Sequence, residues 1–369
     1  MTRVEAVRTR GQLREFVRLP LALHPPDLAV PLQEPTIRSW WRGTSPHPGG
    51  PVELLLVRDD AGRVVGRSTA HRDARFDAKL GTRALLFGAT ELADADAARA
   101  LFAALEQRAT GERELIGPVS LLPNQTGGVV TAGFGERGFV DSPWNPAPTP
   151  GLYEAEGFRR WHEADTWAVD VRPVDPPTAA EWAAAGVRVE QGSRRATGRL
   201  VPELLTLLNA SFDALPYYTP ITPAEMRAAT DGLAWLLDER LLLLARDDDG
   251  VAVAFVLAVP DLTRFLQATG GRLGPVQQLR LLASRHRYRD EAVLVIQGTH
   301  PERQGQGLLT LLSRQLHANL HAGGYRRLRI TSIGRDNPGS ARQAERFGGR
   351  PLHGLTFYRR PVPPRPEHA

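Results

Sequence analysis

The stretch Gln304-Gly305-Gln306-Gly307-Leu308, set between an apolar run and a long leucine-striped segment, decides how this chain folds. Upstream, Ala292 to Ile296 reads as a buried strand, followed by the turn Gly298-Thr299-His300-Pro301-Glu302-Arg303. Downstream, Leu308, Leu312, Leu316 and Leu320 recur every fourth residue, the stripe of a helix packed on a sheet, and Gly323-Gly324 stops it. A glycine-bearing turn at a helix N-terminus exposes several backbone N–H groups, and the helix dipole adds a positive field there. The pattern suits a diphosphate. A strand-to-helix turn that needs glycine only for its backbone angles would look the same locally.

The following residues separate these readings. Arg327 to Ile333 reads as a second strand, and Asp336-Asn337-Pro338-Gly339-Ser340 opens a helix that ends at Gly348-Gly349. Leu355-Thr356-Phe357-Tyr358 reads as a closing strand. In this order of parts the sequence resembles the GNAT superfamily of acyl-CoA-dependent N-acyltransferases. The family's signature, Gln/Arg-x-x-Gly-x-Gly/Ala, falls on Gln304, Gly307 and Leu309, and its asparagine-led helix on Asn337. The resemblance implies an acyl-CoA, such as acetyl-CoA, as co-substrate, with Gln304, Gly305, Gln306, Gly307, Leu308 and Leu309 around its diphosphate. Two positions depart from the pattern. The last small residue is Leu309, and the tyrosine the family often carries seven residues after the asparagine is Ala344.

Composition bounds the rest. The chain has 369 residues, enough for two domains, and no run apolar enough to span a bilayer. Met1-Thr2-Arg3-Val4-Glu5 lacks an apolar signal core, so a cytoplasmic location is expected. There is no cysteine, which excludes disulfides, cysteine–zinc sites and a cysteine acyl-enzyme. The net charge of +5 is small and carried almost wholly by arginine, Lys79 being the only lysine, so no nucleic-acid partner is expected. The densest basic patch, Arg285-His286-Arg287-Tyr288-Arg289, reads as a solvated loop, with contact to an anionic group as the alternative.

A proline-rich break, Arg172-Pro173-Val174-Asp175-Pro176-Pro177, suggests a lobe over 1–172, a linker over 173–186, a second lobe over 187–360 and a loose tail over 361–369. The first lobe repeats the order of the second: paired strands at Val52–Val57 and Val64–His71, a strand at Ala84–Phe87, a helix over Ala95–Arg108 and a last strand from Trp167 to Val171. The expected fold is therefore α/β, two tandem GNAT-like lobes, each a mixed, mostly antiparallel sheet flanked by helices. The first lobe's strand-to-helix turn holds Glu91, Asp94 and Asp96 where the second has glycines, and like charges oppose a diphosphate there. The whole chain also resembles long bacterial GNAT proteins through Gly117-Pro118, Gly133-Phe134, Asn145-Pro146, Gly157-Phe158, Pro220-Ile221-Thr222-Pro223 and Gly271-Arg272-Leu273. Tandem architecture of this kind is shared by mycothiol synthase and the Fem-type aminoacyl transferases.

Two motifs are decoys. Gly133-Phe134-Gly135-Glu136-Arg137-Gly138 fits the dinucleotide pattern by letter, but Phe139 to Pro146 is no helix start. His317 and His321 are four apart, yet Ala318 stands where a zincin needs glutamate, and both lie off the leucine stripe on an expected solvated face; no metal is expected.

For the chemistry, the resemblance implies a C-terminal lobe that transfers an acyl group directly to an unknown small-molecule or peptide amine. The backbone N–H near Thr299 is the candidate donor to the thioester oxygen. His300 or Asp261 are candidate bases, Tyr358 the candidate acid replacing the missing tyrosine, and Tyr217-Tyr218 candidate acceptor contacts. The alternatives are a non-enzymatic acyl-CoA-binding or partner-binding protein and a Fem-like aminoacyl transferase.

Overall fold

A computed structural model describes residues 2–122, 124–140, 142–230, 237–288 and 290–363. In chain order the first elements are β1 (Arg3–Ala6), α1 (Arg10–Leu23), α2 (Glu34–Arg42), β2 (Glu53–Arg58), β3 (Val64–His71), α3 (Ala74–Leu80), β4 (Ala84–Leu92), α4 (Ala95–Arg108), β5 (Glu114–Gly117) and β6 (Val129–Ala132). Then come α5 (Thr149–Ala155), β7 (Arg159–Asp170), α6 (Ala179–Ala184), β8 (Arg188–Gln191), α7 (Thr197–Phe212), α8 (Pro223–Thr230), β9 (Leu242–Arg246) and β10 (Ala252–Pro260). The last are α9 (Thr263–Thr269), α10 (Pro275–Ser284), β11 (Glu291–Thr299), α11 (Leu308–Ala322), β12 (Arg327–Gly334), α12 (Pro338–Arg346) and β13 (Arg350–Pro361).

The chain forms two compact units, and both are the mixed-sheet, helix-flanked kind expected. Unit 1 is Met1–Ala164, Thr263–Gln278 and Leu352–Ala369. Its strands run in the order β1-β2-β3-β4-β5-β13, with β6 also on β13. β4 and β5 pair in parallel. Alternation in β2 feeds two cores. Leu55 and Val57 join Ala98, Leu101, Phe102 and Leu105 of α4, while Leu54 and Leu56 meet Leu13 and Phe16 of α1 and Ile37 and Trp40 of α2.

Unit 2 is Asp165–Leu262 and Leu279–Pro351. Its strands run β12-β11-β10-β9-β8, with β11 and β12 pairing in parallel. On one face the leucine stripe of α11 packs on Leu243, Ala245, Ala254 and Val256. On the other, Leu200, Leu204, Leu207 and Leu208 of α7 cover Leu242, Leu244 and Phe255. The stop of α11 is as its glycines suggest: Gly323 N–H reaches Asn319 O, Gly324 sits at φ +80°, and Tyr325 N–H closes on Leu320 O.

Several expectations are corrected. The division falls inside β7, at Ala164/Asp165, and not at residue 172, because a single strand runs through from Arg159 to Asp170. The supposed linker contains α6, whose capping box of Thr178 and Glu181 starts a helix that buries Trp182 in the core of unit 2. The closing strand belongs to unit 1, where Tyr358 pairs with Gly117 of β5. His317 is not on a solvated face: it is 4% exposed and stacked on Phe347, ring centres 4.0 Å apart. Arg285–Tyr288 forms a short 3-10 helix where a loop was expected, and Arg289 lies outside the described residues, as does most of the expected tail. Among the described residues, no helix follows the glycines at 133–138 before α5. Among the described residues no helix is long and apolar enough to cross a membrane, and no group of three or more His, Asp or Glu side chains is placed to hold a metal.

Candidate functional site

The glycine turn of unit 2 has the geometry its sequence implies. Gly305 and Gly307 sit at φ +77° and +78°, and a Cβ on either would meet nothing within 4 Å. They are glycine for conformation and not for space. Gly307 is the N-cap of α11 and no side chain caps the helix. Thr310 and Leu311 are the first N–H groups to bond back, both to Gly307 O. Among the described residues, the N–H groups of Gly305, Gln306, Gly307, Leu308 and Leu309 donate to no backbone carbonyl. Five donors and the positive end of a 15-residue helix therefore share one exposed turn. Gln304 Nε2 donates to Thr299 O at 3.3 Å and ties the turn to the end of β11. Two guanidiniums flank it: Arg303 Nε donates to Gln306 Oε1 (2.7 Å) and Arg346 to Thr310 Oγ1 (3.2 Å).

Beside the turn the sheet opens. β11 and β12 pair in parallel only from Glu291 to Leu294 and from Arg327 to Ile330. At that point β11 carries a bulge: Leu257 of β10 faces Ile296 and Ala258 faces Leu294, so Val295 is the extra residue. The bulge reverses the alternation. Ala292 and Leu294 face the core under α11, whereas Ile296 packs with the core under α7. Thr331 Oγ1 donates to the carbonyls of Leu294 (3.2 Å) and Val295 (2.9 Å) and fixes the point of parting. His300 N–H bonds Val253 O on β10. By antiparallel alternation Gly298 and Ile296 also face β10, and the backbone N–H and C=O of Gln297 and Thr299 face the gap.

The sequence-predicted residues divide around this gap. Thr299, Gln304 and the turn are together. His300, half-exposed, begins the 3-10 turn, its Nδ1 3.8 Å from Glu302 Oε2, on the glycine side. Asn337 caps α12, accepting from Ser340 N–H at 3.2 Å, and Ala344 is buried in the core. Tyr218 is core, its hydroxyl donating to Asn209 Oδ1 at 2.7 Å. Tyr217 is half-buried; burial pushes its phenol up to about 12, and the nearby charge of Asp336 adds to the shift.

Two candidates are elsewhere. Asp261 is buried with Arg329 Nε at 3.8 Å, and its N–H bonds Glu291 O. That is the paired end of β11, eight residues from Thr299, or roughly 26 Å at strand rise. It is an ion-paired structural carboxylate and not a base at the gap. Tyr358 is a fully buried residue of unit 1, stacked on Tyr153 and donating to Glu154 Oε1 at 3.0 Å. Burial raises its pKa further, and a hydroxyl so enclosed has no access to a leaving thiolate. The bulge at Val295, the gap-facing Gln297 and the brace of Thr331 were not read from the sequence, since a uniformly apolar run carries no bulge signal.

The matching turn of unit 1 is built otherwise. Asp94 caps α4, its carboxylate accepting from Ala97 N–H at 2.8 Å, and Asp96 stands exposed in the first turn. The anion position is filled by the protein's own carboxylate.

No protein-family model and no curated protein matches this sequence. Solved structures do. A tandem GNAT protein from the clavulanic acid biosynthesis pathway, without AcCoA, aligns at 14% identity over 99% of both chains, with a TM-score of 0.62. A GCN5-related N-acetyltransferase from Sphaerobacter thermophilus aligns at 14% identity over 98% of this chain and 96% of its own, with a TM-score of 0.57. The fold is the tandem GNAT fold.

Proposed function

We propose that unit 2 binds an acyl-CoA, with acetyl-CoA the simplest, and transfers its acyl group to an amine. The observation that carries this reading is the cluster of five uncommitted N–H groups at Gly305–Leu309 beside a parted, bulged strand pair. The diphosphate takes those donors, with Arg303 and Arg346 at the rim. The pantetheine arm is long and carries two amides, so it runs back along β11 in the place β12 has left, pairing with the gap-facing backbone of Thr299 and Gln297 as an added strand would. The thioester then lies toward the bulge. Gln297 N–H, with Thr299 N–H as the second candidate, donates to the oxygen that gains charge as the amine attacks.

The amine nitrogen forms the new C–N bond, the C–S bond breaks, one proton leaves the nitrogen and the thiolate takes one. With Ala344 unable to protonate the thiolate, the half-buried Tyr217 is the candidate proton donor. His300, beside the glycine turn, is read as a diphosphate neighbour. A primary amine on a small molecule or peptide is the acceptor class.

A second reading has one observation in its favour. Ala344 is buried where the family often has its tyrosine, which suits an acyl-CoA-binding protein without turnover. Incubation with acetyl-CoA and a panel of amines, with free thiol as readout, separates the two. Amine-dependent thiol release is expected; acetyl-CoA binding with no release from any amine would leave the second reading.

A further inference from the structure

Helix α10 leaves one apolar side uncovered. Pro275 opens it at a position where no N–H is needed, and Gln278 N–H closes the first turn on Gly274 O at 2.9 Å. Leu281 is buried and holds the helix to the protein. On the other side Val276, Leu279 and Leu282 are 72%, 68% and 43% exposed. They are three of the five large apolar side chains exposed among the described residues, and spacing by threes sets them along one side of this single helix. Exposed apolar residues scattered singly are ordinary; three in register on one helix make an interaction face.

The charge around the stripe defines what covers it. From Thr263 to Arg289 the chain has six arginines and neither Asp nor Glu. Arg280 follows Val276 by one helical turn and so flanks the stripe. It is exposed, as are Arg272 just before the helix and Arg287 in the 3-10 turn that continues it. None of these three forms an ion pair among the described residues, and a guanidinium is charged at every working pH. A second copy of the chain fits poorly. A two-fold contact would set the same arginines against each other. A stable interface also takes roughly 20–30 residues a side, well beyond one narrow stripe. A partner helix needs a groove for its anchors, whereas side chains this exposed protrude. An anionic lipid surface meets both features: the headgroup boundary takes protruding apolar side chains, and its charge attracts the arginines.

We propose that α10 and the turn after it dock the protein on an anionic membrane surface, with Val276, Leu279 and Leu282 entering the interface and Arg280 and Arg287 at the headgroups. The docking is independent of acyl-CoA binding by unit 2. Cosedimentation of the full-length chain at physiological salt tests it, with vesicles of phosphatidylcholine alone and of phosphatidylcholine and phosphatidylserine in equal parts. Binding to the mixed vesicles and not to phosphatidylcholine is expected. Leu279→Glu combined with Leu282→Glu should abolish it; both positions are exposed, and circular dichroism checks the fold. Arg280→Gln combined with Arg287→Gln should weaken binding roughly 25-fold, about fivefold for each arginine lost near the surface. The corresponding lysine variants should bind as the parent does. No binding to the mixed vesicles, equal binding to both kinds, or binding unchanged by the leucine substitutions would overturn the proposal. A concentration-dependent dimer that Leu279→Glu dissociates would give the stripe to a second copy and overturn it as well.

Discussion

At the scale of single residues, two tyrosines separate by their burial, Tyr217 half-buried and Tyr358 fully buried. Tyr217 stands half-buried near Asp336 in unit 2, with its pKa pushed to about 12. Tyr217→Phe is expected to lower turnover by roughly 10²-fold, the low end of general acid catalysis, with acetyl-CoA affinity unchanged; unchanged steady-state turnover would remove it from the mechanism. Tyr358→Phe should behave oppositely. It deletes the hydroxyl donating to Glu154 within unit 1, so a loss of about 1 kcal/mol in denaturant unfolding is expected, with thiol release unaltered. Two buried histidines set a pH response. Burial holds both His71 and His317 at about 4, below the ordinary 6.5. The folded state thus disfavours the cation. This contribution is complete above pH 6.5 and is lost as pH falls toward about 4. The melting temperature should drop over that window, and His317→Phe, which keeps the ring against Phe347, should drop less. An equal slope in the variant would show that His317 does not titrate in this range.

At the scale of elements, α11 and its turn were legible because leucine spacing and glycine placement are local signals. The bulge in β11 was not, because Val293-Leu294-Val295-Ile296 is apolar throughout and the reversal of faces arises only from pairing with β10. β13 was legible as a strand but its partner was not, since nothing in Leu355–Tyr358 specifies β5 over β12. α6 carries a capping box, Thr178 to Glu181, a local helix signal that stands directly after prolines that signal a linker. The turn makes its own prediction. Gly307→Ala meets open space but holds a non-glycine residue at φ +78°, so it should cost about 1–2 kcal/mol and retain acetyl-CoA. Gly307→Asp adds a carboxylate among the donors and should lose acetyl-CoA in a folded protein. Loss of binding in both variants alike would make conformation, and not charge, the requirement of the turn.

At the scale of the whole molecule, the two units are interleaved in sequence. Unit 1 takes Thr263–Gln278 and the terminal strand from beyond unit 2, so the proline-rich break does not separate two independently folding pieces. A chain ending at residue 172 lacks Leu355 and Tyr358 from the sheet and core of unit 1 and is expected to be unfolded by circular dichroism, whereas a cooperative unfolding transition would restore the boundary suggested by composition. The units share a fold but differ at the decisive turn: open N–H groups at Gly305–Leu309 in one, a carboxylate cap at Asp94 in the other. The central claim, that acyl-CoA is held by the turn of unit 2 alone, is tested most directly by the calorimetric stoichiometry of acetyl-CoA on the full chain and on Gly307→Asp. One site per chain, absent from the folded variant, is the result this account predicts. Two sites per chain, or one site that survives the substitution, would contradict it.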